Sequence, residues 1–95
     1  YASAKGAIES LSRSLAKEEG AGGIRVNCVA PGYIDTPIHQ VSTAQQIQQY
    51  LDATPMARAG TAHECVGVYL FLACESLSSF ITGQTIGVNG GMHLM

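Results

Sequence analysis

Apolar positions near the start of the chain recur at helical spacing. Ile8, Leu11 and Leu15 are three and four residues apart, no proline intervenes, and Gly6 is the only glycine before Gly20. This predicts a helix over residues 1–19. Gly20, Gly22 and Gly23 then offer positive-φ positions at which helices end. The run IRVNCVA, Ile24 to Ala30, is rich in β-formers and predicts a strand that Pro31-Gly32 stops.

Residues 33–60 lose the periodicity. Gln40, Gln45, Gln46, Gln48 and Gln49 make the stretch polar, and Pro37 and Pro55 interrupt it. So long an excursion between core elements is a candidate lid or binding loop. Within it Ser42-Thr43-Ala44-Gln45 has the form of a capping box, and Ala44, Ile47 and Leu51 share a helical face, predicting a short helix near 43–53. Thr61-Ala62-His63-Glu64 is a second capping box. The helix it opens is apolar almost all round through Cys74, so it is expected to be deeply buried. Residues 76–79 break that helix, Thr82-Gly83 turn the chain, and residues 84–88 form a strand before the turn Asn89-Gly90-Gly91.

The predicted order is helix, strand, loop with a small helix, helix, strand, with no internal repeat and no linker. Strand, crossover helix and strand make one β-α-β unit, which belongs in a parallel sheet covered on both faces. Two strands cannot supply that sheet. The expectation is therefore an α/β fold, the C-terminal part of a doubly wound, Rossmann-like parallel sheet, continuous over residues 1–95. The chain also opens on Tyr1 rather than Met, directly in helical sequence, so it is expected to belong to a longer protein.

Composition narrows the classes. Of 95 residues, 46% are hydrophobic and 13% charged, with a net charge of −2. That describes a packed interior rather than disorder, and no basic surplus points to nucleic acid or an anionic membrane. The longest apolar run, Cys65 to Cys74, is too short to span a bilayer. Cys28, Cys65 and Cys74 have neither C-x-x-C nor disulfide-framework spacing and read as small buried hydrophobes in a reducing compartment, so a soluble cytoplasmic protein is expected. His39, His63 and His93 form no H-E-x-x-H pattern, so no metal site is expected, and an exposed loop histidine such as His39 is ordinarily a solvated surface residue.

Tyr1 and Lys5 carry the candidate chemistry. Four residues apart on a helix, they stand one turn apart on one face. A free phenol titrates near 10 and is a poor base at neutral pH, but a nearby ammonium favours the phenolate and makes the tyrosine a usable proton donor and acceptor. Such pairs are also common on exposed helices without any function.

Four blocks in order decide between those readings: YASAKGAIESLSRSLAKE, IRVNCVAPGYIDTP, ARAGTAHECVGVYLFLA and SFITGQTIGVNGG. Together they resemble the short-chain dehydrogenase/reductase family along essentially the whole chain. The resemblance implies that Tyr1 is the catalytic acid/base, and that Lys5 lowers its pKa and bonds the nicotinamide ribose. It implies that the turn Pro31, Gly32, Ile34 and Thr36 binds the cofactor, with the Ile34 backbone and Thr36 hydroxyl on the nicotinamide carboxamide. Residues 37–60 correspond to the family's substrate-binding region. The implied cofactor is NADP or NAD, the implied substrate a small carbonyl compound or alcohol, and the implied assembly a homotetramer. Neither a membrane nor a nucleic acid is an expected partner.

Parts of the family pattern are absent. The chain has no G-x-G-x-x-G, and the family's Ser and Asn precede the tyrosine. Ala4 stands where many members have Ser, and Asn89 where many have Asp. The 95 residues alone are therefore expected neither to bind dinucleotide tightly nor to turn over. The ending ITGQTIGVNGGMHLM most resembles bacterial 3-oxoacyl-[acyl-carrier-protein] reductases, with sugar and polyol dehydrogenases of the same family as the alternative. A reading of another class is an inactive oligomerisation segment.

Overall fold

The structure, a computed structural model, describes residues 2–37 and 42–94. Its elements are α1 (Ala2–Glu19), a 3₁₀ turn (Gly20–Gly22), β1 (Cys28–Pro31), β2 (Ile34–Asp35), α2 (Ala44–Asp52), β3 (Gly60–Thr61), α3 (Ala62–Ala73), α4 (Glu75–Ser78) and β4 (Thr85–Val88). The order is the α/β alternation expected. β1 pairs with β4, and β2 with β3. Cys28 N–H donates to Gln84 O and Gly32 N–H to Val88 O, so the β1 and β4 bonds advance together, as in a parallel pair.

The chain divides into two compact units. The first holds the residues through Val29 together with Tyr69–Ile86. In it α1 runs into the 3₁₀ turn, which Gly23 closes by taking φ 88° and donating its N–H to Gly20 O. Of the three candidate glycines in that turn, only Gly23 has positive φ. Ala16 is the buried residue of α1, and a Cβ placed on Gly83 would lie 3.4 Å from its methyl.

Residues 24–27 do not join the strand that IRVNCVA predicts, because their partners are largely side chains. Val26 N–H donates to Thr82 Oγ1, the Asn27 amide nitrogen donates to Ile81 O, and Gln84 N–H donates to Asn27 Oδ1. Arg25 donates to Leu72 O at 2.7 Å and to the Glu75 carboxylate at 3.3 Å, tying down the C-terminal end of α3. Residues 75–78 form α4 rather than a simple break. The Ser78 hydroxyl, buried, donates to the carbonyls of Leu72 and Cys74 in place of solvent.

The second unit holds Ala30–Val68 and Gly87–Met95. α2 starts at Thr43, whose hydroxyl accepts from Gln46 N–H while the Gln46 amide accepts from Thr43 N–H. The box expected at Ser42 and Gln45 is thus displaced by one residue. At α3 the expected box forms: Glu64 N–H donates to Thr61 Oγ1 and Thr61 N–H to Glu64 Oε1. β2 and β3 pair in parallel with Ile34 opposite Gly60 and Asp35 opposite Thr61. These strands of two residues each carry no readable alternation and were not expected.

One burial expectation is corrected, that for α3, and the α1 stripe is open as well. Leu11 is 60% exposed and Ile8 61%, so the α1 stripe is not covered by the described residues. α3 buries only Cys65 and leaves Val66, Tyr69 and Leu70 exposed. An all-round apolar helix needs neighbours on every side, and this chain supplies too few. Cys28 and Cys74 are half-buried and Cys65 buried, all three free thiols. No helix among the described residues is long and apolar enough to cross a membrane.

Candidate active site

The turn that follows β1 is held by backbone. Gly32 N–H is committed to Val88 O at 2.9 Å, and a Cβ at Gly32 would come within 2.7 Å of Asn89 Cα. Glycine is required here because two main chains approach closely, not because of an unusual φ. Asn89 is held in turn: Gly91 N–H donates to its Oδ1, and its Nδ2 donates to His93 O. Asn89-Gly90-Gly91 is thus a turn, as expected, with Gly90 at φ 59° and Gly91 at φ 94°.

The register then orients the next residues. Gly60 N–H donates to Tyr33 O at 2.9 Å with Ile34 opposite Gly60. In a parallel ladder of that phase Tyr33 and Asp35 face β3, so the N–H and C=O of Ile34 point to the other side of β2. The Ile34 side chain reaches the strand opposite, where Cδ1 would meet a Cβ on Gly60 at 2.8 Å. Thr36, just beyond β2, is half-buried, and among the described residues its hydroxyl has no hydrogen-bond partner.

A cavity of about 350 Å³ in the same unit is lined by Tyr33, Ile34, Met56, Arg58, Glu64 and Asn89, among others. Arg58 grips Glu64 with both guanidinium nitrogens at 2.8 Å. The hydrogen bonds from Arg58, then that from Thr61 N–H, hold the Glu64 carboxyl at about 2, well below its ordinary range. Ala57, between Met56 and Arg58, takes φ 58°, a left-handed conformation unusual for alanine. Met56 N–H donates to Gly90 O, fastening this loop to the turn after β4.

A second cavity, about 550 Å³, is lined by Ser42, Gln46, Gln49, Tyr50, Met92 and His93. Between the two lies a ring pair: Tyr33, which lines the first, stacks on Tyr50, which lines the second, with centroids 5.1 Å apart and planes 3° from parallel.

Pro31, Gly32, Ile34 and Thr36 therefore belong to one unit, around a single turn. Lys5 lies exposed on α1 in the other unit. Tyr1 and His39 lie outside the described residues. The sequence reading overlooked Tyr33, Tyr50 and Arg58. No local spacing links the two tyrosines, and the capping box had already accounted for Glu64. No group of three His, Cys, Asp or Glu residues that could hold a metal ion occurs among the described residues.

Comparison with known proteins places these features. A family model described as Enoyl-(Acyl carrier protein) reductase matches residues 1–93. The 3-oxoacyl-[acyl-carrier-protein] reductase FabG of Chlamydia pneumoniae is 46% identical over 92 residues, which are 97% of this chain and 37% of the relative. The Arabidopsis thaliana glucose and ribitol dehydrogenase homolog 2 is 45% identical over 93 residues, 97% of this chain and 32% of the relative. The crystal structure of 3-oxoacyl-[acyl-carrier protein] reductase from Brucella melitensis superposes with a TM-score of 0.92 at 41% identity, covering all of this chain and 35% of that one. The chain spans about a third of the length of these relatives. The α/β order thus has its setting, and the chain belongs to the short-chain dehydrogenase/reductase family, within the group whose model is described as Enoyl-(Acyl carrier protein) reductase.

Proposed function

We propose that the protein containing this chain is an NAD(P)-dependent oxidoreductase that interconverts a carbonyl group and a secondary alcohol, acting as a 3-oxoacyl-[acyl-carrier-protein] reductase. The observation that carries this reading is the turn after β1, where Ile34 has its backbone polar groups off the β2–β3 ladder and the Thr36 hydroxyl has no hydrogen-bond partner among the described residues. A primary carboxamide presents one acceptor oxygen and two N–H donors. Ile34 N–H suits the oxygen, and Ile34 C=O and Thr36 Oγ1 suit the amide hydrogens, so the residues present fit a nicotinamide. Pro31 and Gly32 set the turn, and the Gly32 N–H, already committed, is not a ligand.

A bound nicotinamide supplies or accepts the hydride. The chain's part is the proton. Tyr1 O–H gives its proton to the carbonyl oxygen during reduction, and the Tyr1 phenolate takes one from the alcohol during oxidation. The Lys5 ammonium, four residues on, stabilises the phenolate left behind and bonds the ribose. Residues 37–60 hold the substrate. The exposed apolar residues Ile8, Leu11, Tyr69 and Leu70 support subunit contacts in a homotetramer, and three free thiols support a cytoplasmic setting.

A second reading, a sugar or polyol dehydrogenase, is favoured by the similarity to the Arabidopsis relative. Assays of the protein containing this chain separate the two: NADPH oxidation with an acetoacetyl thioester, and NAD(P) reduction with glucose and ribitol. Thioester-dependent oxidation is expected. Turnover of the sugars alone would overturn the acyl reductase reading.

A further inference from the structure

α2 lies in the stretch read as substrate-binding, yet its only aromatic residue faces the cofactor turn. Tyr50, on the last part of α2, lies flat on Tyr33 at 5.1 Å, and Tyr33 immediately precedes Ile34. Tyr33 is nearly closed to solvent, at 9% exposure, and its carbonyl is anchored by Gly60 N–H, so its ring is a fixed platform. Tyr50 is 43% exposed and lines the 550 Å³ cavity whose other walls include Gln49 from α2 and Met92 and His93 from the tail. That tail is itself fixed, because Asn89 donates to His93 O and Met92 N–H donates to Asn89 O. One wall of the cavity thus hangs on a short amphipathic helix, and the other on a tight turn.

A helix of nine residues is marginal on its own and takes its position from side-chain contacts. Its capping box fixes where α2 begins but not where its far end lies. At the far end the face-to-face ring pair joins Tyr50 to the turn after β1, while buried Thr54, whose hydroxyl donates to Tyr50 O, ties the helix end to the turn after β4.

We infer that Tyr50 is a positioning residue: stacked on Tyr33, it holds α2 and the cavity wall it carries at a set distance from the turn that binds the nicotinamide, and so governs how the substrate beyond its carbonyl is held. This rests on the oxidoreductase reading. The stack is a contact between rings, which phenylalanine keeps and alanine removes.

The test uses the protein containing this chain, with Tyr50→Ala and Tyr50→Phe variants. Amide hydrogen exchange over residues 44–52 is expected to quicken in Tyr50→Ala and to match wild type in Tyr50→Phe. With an acetoacetyl thioester as substrate, KM is expected to rise by about 2- to 10-fold in Tyr50→Ala, the range one aromatic pair gives, with the NADPH dissociation constant unchanged. Tyr50→Phe is expected to restore KM. Unchanged exchange in Tyr50→Ala, equal losses of cofactor and substrate affinity, or failure of Phe to rescue would each overturn the inference. A wild-type protein that turns over no carbonyl or alcohol would sink the oxidoreductase reading instead, and the exchange measurement would still decide whether the ring pair holds α2.

Discussion

Gly32 and Asn89 touch main chain to main chain: a single methyl group on Gly32 would sit 2.7 Å from Asn89 Cα. The candidate cofactor turn and the turn after β4 are thus one packed object. Nothing flexible separates them to absorb a side chain.

Gly32→Ala should therefore destabilise the protein by about 1–3 kcal/mol, the usual cost of overpacking. Gly60→Ala is the control, because the atom it meets is Ile34 Cδ1, the far end of a side chain that can rotate away. Denaturant midpoints of the two variants should fall in that order. A larger loss at Gly60 would refute the contrast between main-chain and side-chain neighbours.

The pairing of Glu64 with Arg58 and Thr61 predicts an acid-dependent loss of stability. The folded carboxyl titrates at about 2, below its ordinary value of 4.5. Its contribution is then fully present above 4.5 and fades as pH falls towards 2. Unfolding midpoints of wild type and Glu64→Gln, followed from neutral pH downward, should be separated near neutrality and converge across that window. A gap that stays constant through the window would show that the carboxylate is not the group responsible.

Tyr1→Phe should reduce turnover by a factor on the order of 10²–10⁴, the usual worth of a positioned acid/base, with cofactor affinity kept. Lys5→Met should move the rising limb of the pH–rate profile for alcohol oxidation to higher pH, because without the ammonium the phenol returns towards about 10. A limb that does not move would remove Lys5 from its assigned role.

The 95 residues expressed by themselves should not bind dinucleotide tightly. They carry no G-x-G-x-x-G, and in the proposed role the groups at Ile34 and Thr36 would address only the carboxamide. A calorimetric titration with NADPH and with NADH should show no binding at roughly micromolar affinity or better. Saturable binding at that level would place the phosphate contacts within this chain.

Local features were readable and long-range ones were not. The Thr61 and Glu64 box spans three residues and needs only its own backbone, so spacing alone located the start of α3. At α2 the pairs Ser42 with Gln45 and Thr43 with Gln46 have the same spacing, and only the backbone conformation at Thr43 chooses between them. The sequence from Ile24 reads as strand because Val26 and Cys28 favour one, yet Thr82 and Asn27 replace ladder partners with side chains. Exposure of Leu70 depends on how many elements surround α3, which no helical pattern encodes. In the site, the Pro31 to Thr36 turn was legible as a motif. The Tyr33 and Tyr50 pair was not, because a stack across two elements leaves no periodic trace.

The bonds that extend β1 backward have a consequence for synthesis. Val26 and Asn27 find their partners at Ile81, Thr82 and Gln84, 54 to 57 residues later. Contacts so distant must wait for loop closure, and they form late. A ribosome making this chain therefore releases the 25–28 edge well before it releases what satisfies it. A product terminated before Ile81 keeps that edge bare, an open template on which another nascent molecule can add a strand.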